Sequence, residues 1–520
     1  MQSVNLSVLK QPEFWGVTAE QFEIKETHLS WVFLAGDDAW KLKKPVALYF
    51  VDTSTLENRA FFCDEEIRLN RRTAPDYYLG VATLNGDPDA PTLNGSGELL
   101  DTLVHMRRWN SEQQLDGHPL LTDGAATLAV YLAHYQAQCA PAPSDSPFGD
   151  PTELAAPALL NFQQVQPVLS ERQDLEQLEQ LSGWADEALK RLWPRMSERK
   201  DQGRVREVHG DLHAGHIIVD DWGYHCVDCV EYRSEFRFVD VISEIANLVM
   251  DLEARGQQAF ANRLINAWLE TTGDYHGMWV YLPYKAYRAM VRAKSALLQL
   301  EPAKISAEAS TAPLTLYRQY ADRAESYTQV AHRFLIITQG TIGCGKGELS
   351  NRLVEDLGVI RLRTDVERRR MNGMAIDAPT DAELDAGIHG DAASDEVYRV
   401  LARHAEQLLR AGFPVMVSGS FLKAKQRERF QRLADAQGVL MVILKCEPPS
   451  AWVAQQIRER AVVAADTNRA NLNVLAHQRA AMEPLSGDEE TRTRVIDSSD
   501  KAAVAALSTS LKQALQPHYG

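Results

Sequence analysis

The spacing of apolar and polar positions changes character several times along the chain. Residues 30–50 alternate with a period of two, WVFLAG and then AWKLKKPVALYF around the turn Asp37-Asp38, which predicts a β-hairpin. The following STLENRAFFCDEEIRLNRRTA predicts a helix whose buried face carries Leu56, Phe61, Ile67 and Leu69. NGDPDAPTLNGSG is rich in turn-forming residues and predicts a surface turn between strands, and LVHMRRW predicts a further strand. From about residue 111 to 200 the spacing is mostly helical, broken by the loop APAPSDSPFGDP. Strands first and helices second predict a small sheet-rich lobe followed by a helical lobe.

Near residue 203 the period returns to two. VREVHGDLHAGHIIV, the turn Asp220-Asp221-Trp222-Gly223 and YHCVDCVEY predict a second hairpin. Long helices follow to residue 330, among them ISEIANLVMDLEARG and YRQYADRAESYT, with EPAKISAEASTAP as an exposed loop between them. From residue 334 the short apolar segments FLIIT, FPVMVSG and LMVILKC alternate with the helical patterns ELSNRLVEDLG, VYRVLARHAEQLLRAG and RERFQRLADAQG. That alternation predicts a parallel α/β sheet. The expected organisation is residues 1–110, 111–330 and 334–520, an α+β bilobal part followed by an α/β domain, with no internal repeat.

Composition narrows the partners. A length of 520 residues calls for more than one domain, and 45% hydrophobic residues suffice for large cores. The formal charge of −16 argues against a general nucleic-acid or anionic-membrane binder, although a local basic pocket for phosphate needs only a few side chains. Six scattered cysteines suit a reducing compartment. Cys226 and Cys229 form a CxxC spacing, but they alternate with Val227 and Val230 as in a strand. The first residues lack a signal-peptide apolar core, and no apolar run reaches membrane-spanning length, so a cytoplasmic protein is expected.

Two constellations carry chemistry. Gly340, Gly343, Gly345 and Lys346 satisfy G-x-x-x-x-G-K between a predicted strand and helix. Glycines there turn successive backbone N–H groups towards one phosphate, and the lysine neutralises β/γ charge. Gly347 follows, where many P-loops carry a Ser or Thr hydroxyl for Mg²⁺, and Glu348 comes next. Asp365 and Arg368 to Arg370 follow the next strand; Arg458 and Arg460 lie on a later helix, where a lid would bring arginines to a transferring phosphoryl group. The second constellation is His209-Gly210-Asp211-Leu212-His213, with Asp228 seventeen residues after Asp211. One Asp on a loop can orient or deprotonate an acceptor hydroxyl, and a second on the next hairpin strand can hold Mg²⁺ against ATP phosphates. Upstream, Lys41 or Lys43 could reach the α/β-phosphates, with Glu65 or Glu66 positioning that lysine.

These residues carry a resemblance. The N-terminal part resembles the aminoglycoside-phosphotransferase-like branch of the protein-kinase-like fold, whose loop reads H-G-D-x-x-x-x-N. The whole chain is similar to bacterial fusions of such a domain with a P-loop kinase domain, through HGDLHAGHI, FRFVDVISEIANLVMDLE, RTDVERRR and AMEPL. The resemblance implies Asp211 as catalytic base and Asp228 as Mg²⁺ ligand. His216 occupies the asparagine position and is the second metal candidate, with a nitrogen that suits softer ions better than asparagine oxygen. In small-molecule P-loop kinases an acidic residue at the position of Asp365 faces the acceptor hydroxyl or the metal. Glu244 stands where the family commonly has Asp, and Ser418 where a strand-ending Asp is usual. The expectation is an ATP- or GTP-dependent phosphotransferase, using Mg²⁺ or Mn²⁺, that acts on a small hydroxylated acceptor. The alternatives are a nucleotide-binding sensor or scaffold with weakened catalysis, and modification of a macromolecule. Neither the acceptor nor the oligomeric state is legible.

Overall fold

The hairpin predicted over residues 30–50 forms, but its second strand ends at Lys43. In the computed structural model β1 (Phe22–Glu26), β2 (Ser30–Ala35) and β3 (Asp38–Lys43) run antiparallel in sequence. The β2–β3 reversal uses Gly36 at φ +61°, a left-handed conformation that glycine adopts without strain. A short ribbon, β4 (Ala47–Leu48) and β5 (Val51–Asp52), precedes the helix Leu56–Asn70. β6 (Tyr78–Asp87), β7 (Ala90–Leu93) and β8 (Leu99–Arg107) then complete a six-stranded sheet ordered β1-β2-β3-β8-β6-β7. Described are residues 4–48, 51–298, 311–329, 332–376, 391–463 and 472–515. They fall into two compact units, Met1–Leu120 with His134–Leu252 and Tyr287–Ala321, and Leu121–Ala133 with Glu253–Ala286 and Asp322–Gly520.

Period-two alternation decides what each face of β3 meets. Trp40 and Leu42 enter a core with Phe33, Leu84 and Leu103, whereas Ala39 faces the helix Leu56–Asn70 and packs with Cys63 and Ile67. Lys41 and Lys43 share the parity of Ala39. The helix itself departs from expectation. Phe61 is 59% exposed, and the buried positions are Arg59, Cys63, Glu66, Ile67, Leu69 and Asn70. Ile67 and Leu69 are buried as predicted, but the inward face is partly polar, so a template of apolar residues alone misplaces Phe61 and misses Glu66 and Asn70.

The rest of this first unit holds β9 (Val205–Glu207), the hairpin β10 (Ile217–Asp220)–β11 (Gly223–Cys226), and β12 (Phe238–Asp240), which pairs with β9. β11 stops at Cys226, short of the predicted strand through Tyr232, and Asp228 lies in the following turn at φ +61°.

The second unit contains a parallel sheet ordered β14-β15-β13-β16-β17, built from β13 (Phe334–Gln339), β14 (Ile360–Arg363), β15 (Val415–Ser418), β16 (Leu440–Cys446) and β17 (Thr493–Ile496). β13 is buried along its whole length, as a parallel strand covered on both faces must be. The helix Gln258–Thr272 belongs to this unit. Its Asn262, Asn266 and Glu270, four residues apart, bond the Glu355 carbonyl, the Val359 carbonyl and the Arg361 guanidinium at 3.1, 3.0 and 2.7 Å. The predicted loop EPAKISAEASTAP lies outside the described residues up to residue 310, and Thr311 opens the helix Thr311–Ser326.

Candidate active sites

One helix secures the HGD loop. Val241–Ala254 carries Glu244, Asn247 and Asp251 as a buried polar stripe at helical spacing in a largely apolar sequence. Glu244 Oε1 accepts the backbone N–H groups of His209 and Gly210 at 2.6 and 3.1 Å, and Glu244 Oε2 accepts from Gln136 at 2.9 Å. Asn247 donates to the Leu212 carbonyl at 3.0 Å and to Asp211 Oδ1 at 3.4 Å. Asp251 accepts the Ala214 N–H at 3.0 Å. The Glu that replaces the customary Asp at 244 is therefore an anchor of the loop. Burial pushes its carboxyl up, with Gln136 and the two backbone donors opposing. Gly210 sits at φ +90°, and a Cβ there would lie 2.7 Å from the Phe236 carbonyl oxygen, so this position requires glycine.

The turn after β11 brings Asp228 to the same place. The Thr73 hydroxyl donates to the Cys226 carbonyl at 2.7 Å, and the Cys229 N–H donates to Asn70 Oδ1 at 2.9 Å. The helix Leu56–Asn70 thus fixes the turn from its C-terminal end. Cys226 and Cys229 are buried free thiols, and burial pushes the Cys229 thiol far up, which disfavours its thiolate.

The structure brings together both candidate lysines and one of the two glutamates. Lys41 Nζ donates to Glu66 Oε1 at 2.9 Å and to Asp228 Oδ1 at 2.8 Å. Lys43 Nζ donates to Glu66 Oε2 at 2.7 Å and also pairs with Glu231. Glu65 points the other way, to Arg68 at 2.8 Å and Arg237 at 3.4 Å. Burial alone would depress Lys41 and raise Glu66; Asp228 and Glu66 keep Lys41 charged, and Lys41 and Lys43 keep Glu66 charged against burial and Asp228.

Asp211 lies beside this cluster. Arg292 Nη2 is 3.4 Å from its Oδ1, and His213 Nε2 is 3.9 Å from its Oδ2. Burial opposes ionisation, but Arg292, His216, His213 and Arg288 hold the Asp211 carboxyl well below the usual range. Arg288 also donates to the Gly210 carbonyl at 3.0 Å. His209 is buried, donates from Nε2 to the Val227 carbonyl at 2.8 Å, and is driven down to about 4 by burial and by His216. His209 therefore ties the HGD loop to the Asp228 turn instead of reaching solvent. Asp228 is held ionised against burial by Lys41 and His216, and His216 Nε2 lies 3.6 Å from Asp228 Oδ2. Asp211, His213 and His216 offer ligand atoms within 4.8 Å of one another and Asp228 faces His216 at 3.6 Å, a set that fits a divalent cation.

In the second unit Gly340, Gly343 and Gly345 have φ of +154°, +75° and +81°. A Cβ at Gly340 would lie 2.6 Å from Cys344 Sγ and one at Gly343 2.8 Å from an Ile457 side-chain carbon, so the loop closes only with glycines. Lys346 opens the helix Lys346–Leu357 and donates to the carbonyls of Gly340 and Thr341 at 3.0 and 2.6 Å. Glu348 is exposed, with Lys501 at 3.9 Å, so it turns away from the loop. Gly347 offers no hydroxyl, although a Cβ there would meet nothing within 4 Å. Ser350 Oγ is 3.2 Å from Ser418 Oγ; two neutral hydroxyls fit a protein-held metal less well than a carboxylate would. Asp365 is engaged by Arg363 at 2.6 Å and Arg369 at 3.4 Å. Arg458 is exposed on the helix Ser450–Val463, and the Arg460 side chain lies outside the described residues.

Sequence reasoning missed Glu231, Arg288, Arg292 and Asn247. Only Asn247 left a signal, as part of the polar stripe.

Residues 107–281 match the model of the phosphotransferase enzyme family, and residues 335–485 match the AAA domain model. A curated, uncharacterised protein of Mycobacterium tuberculosis is 28% identical over 484 residues, which is 92% of this chain and 93% of that protein. A Mycobacterium bovis protein matches to the same extent. Among solved structures, an amicoumacin kinase in complex with AMP-PNP, Ca²⁺ and its ligand is 11% identical, covering 61% of this chain and 93% of that one at TM-score 0.40. A choline/ethanolamine kinase family protein from Mesorhizobium loti is 12% identical, covering 62% and 97% at TM-score 0.35. A gluconokinase from Sinorhizobium meliloti is 19% identical, covering 36% and 97% at TM-score 0.26. The chain thus carries a phosphotransferase-type domain followed by a P-loop kinase-type domain, both of them nucleotide- and divalent-metal-dependent classes. Among the described residues no helix is long and apolar enough to cross a membrane.

Proposed function

We propose that the first unit transfers the γ-phosphoryl group of ATP to a hydroxyl of a small molecule, and that the P-loop unit binds a second nucleotide. The observation that carries this reading is the bridging of Lys41 to Glu66 and Asp228 at 2.9 and 2.8 Å, with Asp211 on the adjoining loop. A lysine placed by a buried glutamate presents a fixed cation to the α/β-phosphates. A divalent ion bound by Asp228 and His216 would neutralise charge on the phosphates. Asp211 accepts or orients the acceptor proton; Asn247 and Arg292 set its direction, and its depressed pKa suits it more to orientation than to strong base action. Gly210, Glu244 and His209 hold the loop still, so positioning needs little reorganisation during transfer.

The test is phosphoryl transfer from ATP to a panel of sugars, aminoglycosides, nucleosides and amino alcohols, read by mass spectrometry. Transfer to at least one of them is expected. Neither transfer nor ATP hydrolysis under any divalent ion would defeat the reading. For the P-loop unit the pairing of Gly347 with Ser418 favours nucleotide binding over turnover. Its role is then to sense or regulate, and calorimetry of Lys41→Ala with ATP should still show one tight site.

A further inference from the structure

Backbone groups fix the tautomers of three histidines around the kinase-like centre. His216 Nδ1 lies 2.9 Å from the Asp211 carbonyl oxygen, and a carbonyl only accepts, so Nδ1 carries the proton and the lone pair is on Nε2. His213 is the reverse. The Gly215 N–H donates to His213 Nδ1 at 3.2 Å, so its lone pair is already taken and its proton is on Nε2. His209 donates from Nε2 to the Val227 carbonyl and accepts the Asp211 N–H on Nδ1 at 3.4 Å. Of the three imidazoles only His216 has an uncommitted lone pair.

That lone pair faces Asp228 Oδ2 at 3.6 Å. The other carboxylate oxygen, Oδ1, is held by Lys41 at 2.8 Å. With the imidazole neutral, a nitrogen and an oxygen lone pair face one gap, and a divalent cation bridges it where a proton otherwise would. Ligands about 2.1 Å from one ion stand roughly 3.0 to 3.4 Å apart, so the gap closes with movements of a few tenths of an ångström. The Nδ1–H to carbonyl bond of His216 is the outer-sphere contact that orients ligating histidines and makes them better donors. A potential ligand atom of Asp211 lies within 4.8 Å of one on His216.

We propose that the divalent ion of this centre is held by His216 Nε2 and Asp228 Oδ2, and that this nitrogen–oxygen pair favours a first-row transition-metal ion, Mn²⁺ among them, over Mg²⁺. Mg²⁺ demands oxygen ligands and sheds water reluctantly, whereas an imidazole raises affinity for first-row transition ions. The inference rests on the proposed kinase reading for the position of the metal, but metal binding is measured independently of turnover.

The experiment uses full-length protein carrying Lys346→Ala, so that the P-loop contributes no tight nucleotide–metal site. Mn²⁺ is added with AMP-PNP and examined by pulsed electron paramagnetic resonance, with and without ¹⁵N-histidine labelling. Imidazole nitrogen coupling is expected, changing with the label, together with Mn²⁺ affinity at least about tenfold above that for Mg²⁺. His216→Asn keeps an N–H donor for the Asp211 carbonyl; it should abolish the coupling and narrow the Mn²⁺/Mg²⁺ preference at least about tenfold. Bound Mn²⁺ without imidazole coupling, no Mn²⁺ binding, or unchanged selectivity in folded His216→Asn would each overturn the proposal. Coupling without phosphoryl transfer to any acceptor would sustain the metal site while defeating the kinase reading.

Discussion

Replacing Glu66 and Glu65 one at a time separates two neighbouring carboxylates that the sequence alone treats alike. Glu66 is fully buried and shared by two ammonium groups at 2.9 and 2.7 Å. Removing one partner of a buried pair costs about 3–5 kcal/mol, because the remaining charge is left in a poorly solvating interior. Lys41 keeps Asp228 and Lys43 keeps Glu231, which places Glu66→Ala near the lower end, at about 3 kcal/mol. Glu65 pairs with Arg68, whose side chain is 47% exposed, and both Arg68 and Arg237 retain Glu207 at 2.8 and 3.0 Å. Glu65→Ala should therefore cost no more than about 1 kcal/mol. Urea unfolding of the two variants at pH 7, followed by tryptophan fluorescence, should differ by about 2 kcal/mol in the transition of the first unit. AMP-PNP affinity in a Lys346→Ala background should fall at least about tenfold for Glu66→Ala, equivalent to about 1.4 kcal/mol, and scarcely for Glu65→Ala. Equal losses, or a larger loss for Glu65→Ala, would refute the assignment of Glu66 as the lysine-positioning group.

Two further outcomes follow from single positions. Gly347→Ser meets no atom within 4 Å of the new Cβ, so the variant should fold normally, gain a few tenths of a kcal/mol of helix stability, and acquire stronger Mg²⁺ dependence of nucleotide binding by calorimetry; an unchanged Mg²⁺ dependence would count against the missing hydroxyl as the defect. His209 is held neutral down to about 4 by burial and His216, so the unfolded chain takes up its proton first as pH falls through 6.5, and the stability it contributes is complete above that value. Between pH 7 and 5 the loss from His209 is about 2 kcal/mol, and His209→Asn should flatten the urea-measured pH slope by about that amount.

The P-loop was legible because its chemistry is local: three glycines and a lysine at fixed spacing between a strand and a helix. HGDLH was legible for the same reason. The choice between Glu65 and Glu66 was not, because adjacent residues on a helix point about 100° apart and only the packing of Leu56–Asn70 selects one. The same packing turned Phe61 outward, since the buried stripe includes Glu66 and Asn70. Asp228 reads as part of a strand because Val227, Cys229 and Val230 extend the apolar positions beyond β11. The backbone leaves the strand at Cys226 to satisfy Thr73 and Asn70, which are distant in sequence. Arg288 and Arg292 carried no signal at all, since a guanidinium on a long helix is ordinarily solvated and only tertiary structure brings it to Asp211.

The central claim, that chemistry belongs to the first unit and nucleotide binding alone to the P-loop, is tested most directly by comparing ATP turnover in Asp211→Asn and Lys346→Ala. The geometry predicts a fall of about 10²–10⁴-fold in Asp211→Asn and retained turnover in Lys346→Ala. Turnover that survives Asp211→Asn and vanishes in Lys346→Ala would contradict it.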